Sequence, residues 1–87
     1  MPDRTKRSIV HFASPFTLTG LEGIQPPGDY AVDDDEELME GLSWLGYRRI
    51  ATFIHLPAIG ADSPTRQMVQ IDHTELDAAQ ERDGLSA

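Results

Sequence analysis

The sequence predicts a small α+β domain that is mostly β: an antiparallel meander or partial barrel of about four to five short strands, with a short central helix and a C-terminal helix. Three observations carry this reading. Short runs of β-branched and aromatic residues recur between Pro/Gly punctuation. Around 35–45 the apolar spacing becomes helical. From Asp72 onward the chain opens like a capped helix.

Residues 1–7, with Arg4, Lys6 and Arg7, read as a flexible basic lead-in. Ser8-Ile9-Val10-His11-Phe12 is a strand, ended by Ser14-Pro15. Phe16-Thr17-Leu18-Thr19 alternates and predicts a second short strand, closed by Gly20. Pro26-Pro27-Gly28 is the strongest turn signal, since Pro presets φ and Gly accepts a positive one. Asp29 to Val32 alternates again and reads as strand.

The next segment supports two readings. Leu38, Met39, Leu42 and Leu45 fall at i, i+1, i+4 and i+7, a helical stripe. Asp34 and Glu37 have capping-box spacing, and acids suit the positive end of a helix dipole. Against this, Gly41 would sit mid-helix, and the strand from Tyr30 could run on to Leu38. The helix is the favoured expectation. Arg48 to Leu56 is the clearest strand, with Ile50, Thr52, Ile54 and Leu56 on one face. After the loop from Ala58 to Thr65, Arg66 to Ile71 is expected to pair with it. Asp72 can cap a last helix through Arg82, with Gly84 as its stop. Residues 8–83 thus form one domain and 84–87 a tail. The expected core is Ile9, Phe12, Phe16, Leu18, Tyr30, Val32, Ile50, Ile54, Val69 and Ile71.

With 87 residues the chain is a single small domain. It has no cysteine, which removes disulfides, thiolate metal sites and thiol catalysis and favours a reducing compartment. No apolar run is long enough to span a bilayer, and the N-terminus lacks a signal-peptide core, so a cytoplasmic location is expected. A net charge of −8 opposes nucleic-acid binding and anionic membranes, and favours a basic protein partner.

The densest feature is the acidic run Asp33-Asp34-Asp35-Glu36-Glu37. Read as a calcium loop from Asp33, it puts Leu38 at the sixth position and Trp44 at the twelfth, where Gly and a carboxylate are needed. A solvated, helix-initiating face is the favoured reading, a docking surface for a basic partner the next, and loose binding of calcium or magnesium the least favoured. His11, His55 and His73 are the only histidines, with no H-x-H or H-E-x-x-H spacing; Asp72, His73 and Glu75 could offer three metal ligands, and a helix start explains them equally well. No serine lies in a nucleophile elbow, and no glycine loop has phosphate-binding spacing. Trp44, Tyr47, Arg48 and Arg49 form a second cluster, with residue types common at interfaces; core aromatics with rim arginines is the favoured alternative.

Four segments carry a resemblance: Phe16-Thr17-Leu18, Pro27 to Val32, Glu36 to Ser43 and Tyr47 to Thr52. They resemble a group of short bacterial proteins, mainly alphaproteobacterial, of unknown function. The resemblance covers roughly half the chain and carries over no activity, cofactor or site residue.

The first functional expectation is a non-enzymatic interaction or accessory module that binds an unidentified basic protein partner. Its candidate contacts are Asp33, Asp34, Asp35, Glu36, Glu37, Trp44, Tyr47, Arg48 and Arg49. The alternative is a small-ligand or metal-binding domain using a barrel mouth with His11 or His55. A third is the subunit of a homo-oligomeric enzyme. No cofactor and no catalytic residue is expected.

Overall fold

Alternation of large apolar residues drives this chain into strands, because side chains on a pleated strand point to opposite faces in turn. A computed structural model describes residues 2–41 and 45–86. Among them, β1 (Arg4–Phe12), β2 (Gly28–Glu40), β3 (Leu45–Leu56) and β4 (Gln67–Ile71) form an antiparallel sheet, followed by α1 (His73–Ser86). The sheet order is β1-β2-β3-β4, so the meander is open, with β1 and β4 as edges. It does not close into a partial barrel.

One sheet face is covered. Val10 and Phe12 of β1, Tyr30 and Val32 of β2, Ile54 of β3 and Ile71 of β4 are buried there. Phe16 and Leu18 cover them from the loop after β1, and Leu76 and Ala79 from α1. Phe12 and Phe16 stack at 3.7 Å between ring centroids, and both meet Tyr30 edge-on. The Tyr30 hydroxyl donates to the Pro26 carbonyl at 2.6 Å, so its polar tip is satisfied where its body is buried.

Two acids of α1 tie down the loop after β1. Asp83 accepts from the amides of Ala13 and Ser14, each at 2.9 Å. Glu75 accepts from the Thr19 amide rather than closing a capping box. Asp72 caps the helix as expected, accepting from Thr74 at 2.8 Å and Glu75 at 3.3 Å.

Several expectations are corrected. Residues 35–40 are strand, not helix, and β3 already begins at Leu45; residues 42–44 of that expected helix lie outside the described residues. The helical stripe is real as a pattern, but paired strands on both sides outweigh it. Each acid of the run meets a basic or polar residue across the sheet, which a helix would not arrange. The lead-in is also sheet: β1 starts at Arg4, in register opposite Glu36. Phe16 makes only an isolated bridge to Gln25, so no strand forms at 16–19. Helix α1 runs through Gly84 to Ser86. Ile9 and Ile50 are not core: they stand 64% and 46% exposed. Ile9 alternates out to the uncovered face, and Ile50 sits at a β-bulge where the β2–β3 register shifts between Asp35 and Glu36.

Candidate functional site

The acidic run is distributed over both faces of the sheet and matched there. On the helix side, Arg4 Nε lies 2.6 Å from Glu36 Oε1. On that side too, Asp34 accepts from the Thr52 hydroxyl at 2.6 Å, with Arg49 Nε at 3.2 Å and His73 Nδ1 at 3.5 Å. On the uncovered side, Asp33 faces Arg7 and His55, Asp35 accepts from Thr5 at 2.7 Å, and Glu37 pairs with Arg48. A strand of five successive acids is tolerable because its neighbours carry opposite charges for four of them and a hydroxyl for Asp35. The run is therefore a cross-strand ladder, not a free acidic face.

Asp33 is the innermost rung, only 7% exposed. Arg7 donates to it twice, Nε to Oδ1 at 2.7 Å and Nη2 to Oδ2 at 3.0 Å. His55 Nε2 lies 2.8 Å from the same Oδ2. Nε2 also stands 3.3 Å from Arg7 Nη2, which can only donate, but its closer approach to the carboxylate, which can only accept, requires Nε2 to donate. That assigns the His55 proton to Nε2 and leaves Nδ1 as the acceptor of the neutral ring. The hydrogen bond from Arg7 holds the Asp33 carboxyl at about 2, below its ordinary 3.8, against the opposing effect of burial. The same hydrogen bond raises Arg7.

Beside this trio the uncovered face forms a cleft of about 900 Å³. Its floor is built by alternation: Ile9 from β1, Ala31 from β2, His55 from β3 and Met68 from β4. Its wall is the loop after β3, with Ile59 and Arg66. The Ile59 amide donates to the Asp29 carbonyl at 2.7 Å, folding that loop back over the start of β2. Gly28, at φ +149°, permits the approach: a Cβ there would stand 3.1 Å from Ala58 Cβ.

Of the residues singled out in the sequence, Asp33 borders the cleft and His55 lines it. Asp34, Asp35, Glu36, Glu37, Arg48 and Arg49 belong to the ladder. Tyr47 is 46% exposed and not core; its ring carries the Arg4 guanidinium 3.5 Å from its centroid. Trp44 lies outside the described residues. His11 pairs with Asp29 at 2.6 Å, and His73 with Asp77 at 3.2 Å, each apart from His55. Among the described residues no three His, Asp or Glu side chains group as a metal site.

Comparison with family models, curated proteins and solved structures finds no match. Among the described residues no helix is long and apolar enough to cross a membrane.

Sequence reading missed Arg7, Ile9 and Arg66. The signal for Arg7 was present: a basic segment and an acidic one of matching length, each able to form a strand. Arg66 carries no local signal, because a surface arginine before a strand is ordinary.

Proposed function

We propose that this chain is a small non-enzymatic binding protein that takes a small molecule on its uncovered sheet face. The observation that carries the reading is the cleft at β1, β3 and the loop after β3. It joins an apolar floor to a few polar groups held in place by a buried carboxylate, the usual make-up of a ligand site. His55 is the histidine that reading employs, oriented by Asp33. A docking role for the acidic run is less well supported, because its carboxylates already have partners within the sheet.

The test is a two-dimensional amide NMR screen of the full chain against a mixed small-molecule panel, neutral and charged. The expected result is saturable shifts at Ile9, His55 and Met68, abolished by Met68→Arg, which fills the cleft from an exposed position. Hits that map elsewhere, or none at all, defeat the reading.

A second reading rests on the far end of the β2–β3 hairpin. Leu38, Leu45 and Tyr47 stand exposed there on one face of the hairpin, beyond the covered core. Such a cluster suits a protein partner, bound through apolar contact with charged residues at the rim. Capture of one partner that survives high salt and is lost in Leu45→Ser/Tyr47→Ser supports it. Capture released by salt and indifferent to that variant sinks it.

A further inference from the structure

Resting on the small-ligand reading above, we infer that the cleft binds an organic monoanion: one carboxylate head on an apolar body. The chain holds 15 Asp and Glu against 7 Lys and Arg. The cleft reverses that balance, since Arg7, Arg66 and His55 line it and no Asp or Glu does. Asp33 sits beneath it, and its charge is already matched by Arg7. Arg66 has no ion pair with any described residue. One positive charge is thus unmatched, which suits a monoanion; a dianion would leave one charge uncompensated in the field of an acidic protein.

Arg7 is prepared for such a head group. A guanidinium carries five N–H donors. Asp33 takes one from Nε and one from Nη2, whose second lies beside His55 Nε2 at 3.3 Å, leaving the pair on Nη1 free while the carboxylate holds the plane still. A planar carboxylate is the natural partner of a guanidinium edge. For the body of the ligand, Ile9, Ile59 and Met68 stand 64%, 55% and 58% exposed around the same cleft. A continuous apolar patch of this kind is covered by an alkyl or aromatic group, and the unbranched Met68 adapts to its shape.

The test titrates the full chain with octanoate, 1-octanol and octyl phosphate, followed by amide NMR. Octanoate is expected to bind about tenfold more tightly than 1-octanol, the worth of one charge-assisted hydrogen bond. Arg66→Gln should cut the preference for octanoate over 1-octanol severalfold, with the remainder held by Arg7; Arg66→Lys should keep the preference. Arg66 is exposed, so neither change threatens the fold. Equal affinity for octanoate and 1-octanol overturns the inference, as does a stronger preference for octyl phosphate. So does a preference untouched by Arg66→Gln, or binding to phosphatidylglycerol vesicles without binding to octanoate. If neutral compounds alone bind the cleft, the inference falls and the small-ligand reading stands. If nothing binds there, both fall.

Discussion

Arg7 and Asp33 stand opposite each other in the β1–β2 register, and the guanidinium grips the carboxylate with two hydrogen bonds of 2.7 and 3.0 Å. His55 reaches the same carboxylate from β3. Three strands are thereby tied at one buried acid, on the face no helix covers. The stability of the sheet and the shape of the cleft are consequently linked.

Asp33 should make folding acid-sensitive in a defined window. It titrates at 3.8 ordinarily and at about 2 in the fold. A depressed carboxyl contributes stability that is fully present above pH 3.8 and fades as pH falls through about 2. The contribution is about 2 kcal/mol. Urea unfolding between pH 2 and 6 measures it, as the part of the acid loss that is missing in Asp33→Asn.

At neutral pH, Asp33→Asn should cost about 2–3 kcal/mol, since an amide turns a donor toward at least one of the three donors already there. Glu37→Gln, at the outer end of the ladder, should cost less than about 1 kcal/mol. Its pair with Arg48 is well exposed, at 36% and 59% of the side chains. Equal losses in chemical denaturation would show that the ladder acts as a single unit.

Asp83→Ala should free the loop after β1. It removes the acceptor for both the Ala13 and Ser14 amides. The expected cost is about 1–2 kcal/mol. Hydrogen exchange at those two amides should accelerate more than exchange in the middle of β2.

Gly28→Ala should destabilise by about 1–3 kcal/mol, because φ is +149° there and the new Cβ meets Ala58. The loss is read in the melting temperature. The cleft wall shifts with it, so amide shifts should extend to Ile59.

The sequence was informative where short-range chemistry decides. Pro26-Pro27-Gly28 marks the start of β2, Asp72 caps α1, and alternation around Tyr30, Ile54 and Ile71 marks strands. At 35–45 local spacing pointed to a helix, and the fold is strand over 35–40. Five adjacent acids look the same locally whether they await water, a partner or another strand. Their fate depends on Arg4, Arg7, Arg48 and Arg49, which are brought beside them only by strand pairing.

The same division separates domain from site. Alternation, turn residues and capping, which act over a few neighbours, determined by themselves that this chain is a mostly β meander ending in a helix. Which face the helix covers was decided by tertiary structure alone, and with it the fates of Ile9, Met68 and His55. Side-chain alternation supplies two faces to every strand, but only packing between distant segments chooses which one is left open.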